Sequence, residues 1–109
     1  MSFKAFYSCN STEERVDSAD AYDIDLKWAA NIVVDILRDE GDFFGLTDGA
    51  GTTLQFMRES ESVWMEIPSP ADRGSYGAHI AITDVRPTIV ALPDLLDPKQ
   101  LTNLDFQAW

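Results

Sequence analysis

Apolar residues recur along this chain in two rhythms, and the change from one to the other falls at Gly41. Before it, Leu26, Ala29, Ala30, Val33, Ile36 and Leu37 return every three or four residues, the spacing of one face of an α-helix. Trp28 and Ile32 widen that face. Asp25 stands just before the run, where a carboxylate caps the free amides of a first turn. Gly41 stands just after it, where a left-handed C-cap is expected. The spacing therefore predicts one long helix between these two signals.

After Gly41 the period becomes two. Phe43 to Thr47 reads as a short apolar strand, and Asp48-Gly49-Ala50-Gly51 as a hairpin turn built from residues that tolerate positive φ. Thr52 to Arg58 places Leu54 and Phe56 on one side and Gln55 and Met57 on the other. After a turn at Glu59-Ser60-Glu61, Ser62 to Ile67 alternates Val63, Met65 and Ile67 against Trp64 and Glu66. Pro68 to Gly77 reads as a loop that contains Arg73, Ser75 and Tyr76. Ala78, Ile80 and Ile82 then share a face opposite His79, Ala81 and Thr83. Ser2 to Cys9, rich in aromatics, is a further strand, whereas the polar stretch Asn10 to Ile24 reads as a long loop. Thr83 or Asp84 begins a helix towards Leu92, ended or kinked by Pro93. Leu104 to Trp109 is a last strand or a docked tail. Together these elements predict an α+β fold: a mostly antiparallel sheet of about four to six strands, with one long helix and one or two shorter helices packed on one face. Its length of 109 residues fits a single domain.

Charge changes the picture from fold to partner. The chain carries 19 acidic residues against 8 basic ones, a net charge of −11. The excess is concentrated between Asn10 and Asp42, where ten acids face only Arg15, Lys27 and Arg38. A field of this sign repels nucleic acid and anionic membranes and steers cationic protein surfaces into contact. No apolar run approaches the roughly 18 to 20 residues that span a bilayer. The first ten residues lack a signal-peptide pattern, and one cysteine, Cys9, forms no internal disulfide. A cytoplasmic protein is expected.

Candidate chemistry narrows the reading further. The turn at Asp48 lacks the lysine of a phosphate-binding loop. One cysteine and one histidine cannot make a zinc site, and nothing brings His79 to a nucleophile. No catalytic residue, metal or cofactor is expected. What remains is a recognition surface. If the apolar alternate residues face the helices, Met57, Trp64, Glu66 and His79 share the opposite side, an aromatic and a methionine among polar groups as at protein interfaces. Arg73 and Tyr76 extend that surface, while Asp17, Asp20 and Asp23 supply the acidic field.

The stretches DFFGLTDGAGTTLQF and VWMEIPSPADRGSYGAHIAITD and the closing LDFQAW resemble the small bacterial immunity proteins of polymorphic-toxin systems, in particular the class called immunity protein 1. The resemblance lies in the order of elements and covers about two thirds of the chain; the acidic segment Asn10–Ile24 and Pro93 fall outside it. It implies a cytoplasmic inhibitor that binds and blocks a cognate toxin domain, and it transfers no functional residue. Two other classes fit the same features: a secretion chaperone, adaptor or nucleic-acid mimic without a toxin partner, and a small ligand-binding domain with a pocket near His79, Arg73 and Tyr76.

Overall fold

A computed structural model describes residues 3–99, 101 and 104–109. One antiparallel sheet contains eight strands: β1 (Phe3–Cys9), β2 (Glu14–Val16), β3 (Tyr22–Ile24), β4 (Phe43–Thr47), β5 (Thr53–Arg58), β6 (Val63–Ser69), β7 (Gly74–Ile80) and β8 (Asp105–Ala108). Among the described residues two α-helices accompany it, α1 (Leu26–Ile36) of 11 residues and α2 (Val85–Val90) of 6. The protein is mostly β, which corrects the expected fold in both strand number and helix length.

The helix is short because a buried carboxylate interrupts it. Asp25 does cap the start, its Oδ1 accepting the Trp28 N–H at 2.7 Å. Ala29, Ala30, Val33 and Ile36 are buried, but Trp28, expected on the apolar face, points outward and is 56% exposed. After Ile36 the backbone turns around Asp42, whose side chain is fully buried. Its Oδ2 accepts the N–H groups of Arg38 (3.1 Å) and Asp39 (2.7 Å), and its Oδ1 that of Asn10 (2.9 Å). Amides captured this way cannot continue an α-helical ladder. Gly41, expected as the C-cap, instead sits in the following turn with φ near +93° and donates to the Arg58 carbonyl.

The additional strands come from segments that read as loop. The sheet order is β2-β1-β4-β5-β6-β7-β8, with β3 also paired to β1. Since β4 pairs with Lys4–Ser8 along one side of β1, β2 (opposite Tyr7–Cys9) and β3 (opposite Phe3–Ala5) share the other side. The acidic segment is thus one edge strand, broken by a 3-10 turn at Ser18–Asp20. A broken, charged edge resists pairing with another chain. The segment Pro68–Gly77 is likewise a hairpin rather than a loop: β6 runs through Pro68 to Ser69, and β7 starts at Gly74. Proline is tolerated there because pairing with β5 has already ended at Glu66.

Alternation gives the sheet two unlike faces. Phe3, Ala5, Phe44, Leu46, Leu54, Phe56, Val63, Met65 and Ile67 point to the side covered by the helices and join Val33, Ile36, Val85 and Ile89 in the core. Arg86 fastens α2 to α1 through the Ala30 carbonyl (3.0 Å) and the Asn31 side chain (3.1 Å). A second buried carboxylate, Asp48, closes the β4–β5 turn by accepting the Ala50 and Thr52 N–H groups, each at 2.9 Å. Its other oxygen accepts the Leu96 N–H at 2.7 Å, tying the segment after α2 to this turn.

At the β1–β3 edge, the hydroxyls of Tyr7 and Tyr22 lie 3.0 Å apart. Burial, and then this hydrogen bond, push the Tyr22 phenol up to about 12 from an ordinary value of 10. The folded protein holds that proton to higher pH than the unfolded chain does. The stabilisation is therefore complete below pH 10 and lost as pH rises towards about 12. Denaturant unfolding across this range should show stability falling with pH, and Tyr22→Phe should flatten the fall.

Candidate protein-binding face

The second face of the sheet is built from the other alternate residues, and its most aromatic region lies over β5, β6 and β7. Register places Met57 opposite Trp64 and Trp64 opposite His79, so the three form a row across the strands. Met57 is 46% exposed. The Trp64 and His79 rings are tilted at 59° with centroids 4.8 Å apart. Diagonally from Trp64 lies Gly77, and a β-carbon there would collide with the benzo edge of the indole. The absent side chain leaves room for the benzo edge over this residue. The same device recurs at the far side, where Phe6 lies over Gly45.

Carboxylates surround this aromatic row. Glu66 accepts the Trp64 Nε1–H at 3.3 Å, which fixes the indole orientation. At the other end of the row, Glu59 Oε1 sits 2.8 Å from His79 Nε2 and also accepts the Ser62 hydroxyl at 3.3 Å. Register places Asp105 opposite Gly77, and Gly77 opposite Glu66, so Asp105 and Glu66 flank the gap over which the indole lies. Trp109, 72% exposed, donates from Nε1 to Ser75 Oγ at 3.3 Å on the same face.

Of the residues singled out from the sequence, Met57, Trp64, Glu66 and His79 come together here. The others do not join them. Asp17, Asp20 and Asp23 lie at the β2/β3 edge, four strand spacings or about 19 Å from β6. There Asp17 is paired with Arg15 at 2.8 Å, with both side chains well exposed. Tyr76 belongs to the helix-covered side, packed on Phe106 with ring centroids 5.0 Å apart and donating to Asp72 at 3.2 Å. Arg73 is the left-handed residue of the β6–β7 turn, with φ near +54°, and its carbonyl accepts the Trp109 N–H. Ile82 and Thr83 belong to a 3-10 turn beyond the end of β7.

Glu59, Gly77 and Asp105 were missed as neighbours of Trp64. The signal for Gly77 and Asp105 was the β6–β7–β8 register, which a loop over Pro68–Gly77 conceals; that for Glu59 was the β5–β6 turn, which brings it beside His79. An open cleft of about 810 Å³ lies towards the helices, walled by Ala78, His79, Ile80, Pro87, Ala91 and Leu101. Asp84 and Thr88 line it, but the Thr88 hydroxyl already donates to the Asp84 carbonyl at 2.7 Å. Of the three residues expected near a pocket, His79 lines it, and Arg73 and Tyr76 do not. Among the described residues no cluster of His, Cys, Asp and Glu side chains is arranged to hold a metal ion. No helix among them is long and apolar enough to cross a membrane. Family models, curated proteins and solved structures yield no match to this chain.

Proposed function

We propose that this chain is a non-enzymatic inhibitor that binds a basic protein surface through its open sheet face, acting as a cytoplasmic immunity protein against a toxin domain. The observation that carries the reading is Trp64, half-buried over Gly77 on the outer sheet face, with Glu66 at its Nε1, Asp105 across Gly77 and Glu59 paired to the neighbouring His79. Aromatic anchors surrounded by polar groups supply most of the energy of protein interfaces. A toxin domain that acts on nucleic acid needs a cationic groove for phosphates. Carboxylates can occupy such a groove in their place, and a net charge of −11 accelerates the encounter. The resemblance to immunity protein 1 supports the choice of a toxin as the target.

The test is co-production with the toxin domain encoded beside this chain, followed by assay of the purified pair. Growth should be protected, the toxin's activity should be blocked at equal molar amounts, and association should slow as salt is raised. A stable complex that keeps full toxin activity would make the protein an adaptor instead. Absence of any complex would remove the reading.

A further inference from the structure

We propose that the Trp64 site receives one arginine side chain of the partner, its guanidinium lying on the indole between Glu59, Glu66 and Asp105. The assignment rests on the reading above only in taking the ligand to be part of a basic protein. The floor of the site is fixed from below by Gly77 and from the side by the bond from Nε1 to Glu66, so the indole is already held in a receiving position. The indole is half-buried on the outer face, and an indole attracts a cation through its negative π-face.

The carboxylates stand where a planar donor needs them. Glu66 and Asp105 sit on either side of Gly77, two strand spacings or about 10 Å apart. One side chain can enter between them, and both acids can close on it. Glu59 lies at the opposite end of the ring row, beside His79. Glu59 and Glu66 each use one oxygen in the bonds described, Oε1 and Oε2 respectively. The second oxygen of each remains to accept from a ligand. Four of the protein's own arginines are engaged elsewhere: Arg15 pairs with Asp17, Arg38 with Asp35, Arg58 bonds the Leu37 and Glu59 carbonyls, and Arg86 bonds α1. Glu66 and Asp105 have no arginine or lysine ion-pair partner among the described residues.

Arginine suits this geometry better than lysine. A guanidinium is flat, stacks on an aromatic plane and sends its N–H groups sideways in that plane, towards acids at the rim. An ammonium is compact and strongly hydrated and reaches one carboxylate at a time. A phosphate or nucleic acid is repelled by three carboxylates.

The probe is a short peptide of alternating glycine and arginine, titrated into the 15N-labelled protein, with otherwise identical peptides carrying citrulline or lysine. The arginine peptide should shift the Trp64 Nε1–H signal saturably, with smaller shifts at the backbone amides of Gly77 and Asp105. Citrulline, which keeps the shape and removes the charge, should leave these signals in place. Lysine should bind at least about fivefold more weakly. The double variant Glu66→Gln with Asp105→Asn should weaken the arginine peptide about tenfold while the rest of the spectrum stays unchanged. Equal binding of the citrulline or lysine peptide overturns the proposal. So does a response centred on Asp17, Asp20 and Asp23, or no saturable response at all. Toxin inhibition by a protein that fails this titration would end the arginine assignment alone; a positive titration by a protein that inhibits nothing would end the inhibitor reading alone.

Discussion

Asp42→Ala should destabilise the protein by about 3 to 5 kcal/mol, the largest effect expected of any single carboxylate change. The wild-type side chain is fully buried and accepts three backbone N–H groups, from Asn10, Arg38 and Asp39. Alanine takes the acceptor from the Asn10 and Asp39 N–H groups, while the Arg38 N–H keeps the Ile36 carbonyl at 3.0 Å, and a buried amide left unpaired costs about 1 to 3 kcal/mol. Water entering the vacated space recovers part of that, so the sum stays below the upper bound. Since a domain of this size is stable by only about 5 to 15 kcal/mol, urea and thermal unfolding should show a clear loss. Asp42→Asn keeps one acceptor oxygen and should fall between the two. A loss below about 1 kcal/mol in the alanine variant would mean that the carboxylate does not organise the turn. The consequence extends past the helix end, because Asn10 leads into the β2 edge and the Arg58 N–H bonds the Asp42 carbonyl at 2.8 Å.

Asp42 also shows which part of the fold periodicity could reach. The helix was legible at its start, where a capping carboxylate precedes a regular apolar stripe. Its end was misread because the stripe continues to Leu37 and a glycine follows, both ordinary signs of a longer helix. What stops it is a side chain six residues beyond Ile36 that folds back on the chain, and no local pattern announces that bond. The turn at Asp48 was legible for the opposite reason: its side-chain bonds to Ala50 and Thr52 lie within four residues. Its bond to Leu96 is long-range and was not legible.

The acidic segment was misread because edge strands need not alternate. Arg15 and Glu14 in β2 and Tyr22 and Asp23 in β3 are all exposed, so no apolar period marks them. Their strand character comes from β1, which offers a backbone ladder whatever side chains arrive. At the opposite edge β8 is exposed throughout, and its sequence reads equally as a last strand or a docked tail. These edge strands determine the candidate site: β8 brings Asp105 to Trp64, while β2 and β3 carry Asp17, Asp20 and Asp23 away from it. Met57, Trp64 and Glu66 were legible as a group because they lie on strands whose buried residues alternate regularly, and His79 because Ala78 and Ile80 flank it in the sequence.

That separation gives the second large effect. Trp64→Ala should weaken the proposed complex by roughly 30-fold to 1,000-fold, the 2 to 4 kcal/mol of a central aromatic anchor. It should do so mainly by speeding dissociation. The fold should tolerate the change, since the ring lies on the outer face over Gly77 and outside the buried core. Neutralising the distant edge with Asp17→Asn, Asp20→Asn and Asp23→Asn should have a different signature. These acids lie beyond the ~8 Å screening length at physiological salt from the β6 anchor, so they act on the approach of the partner and not on the bound contact. Association should slow by about tenfold at low salt, with dissociation nearly unchanged and the difference vanishing as salt rises. Surface-immobilised toxin domain and stopped-flow mixing resolve both rates. If the triple variant dissociated as fast as Trp64→Ala, the acidic edge itself would be the contact surface. The partner would then have to lie along β2 and β3, and the indole over Gly77 would be only surface packing.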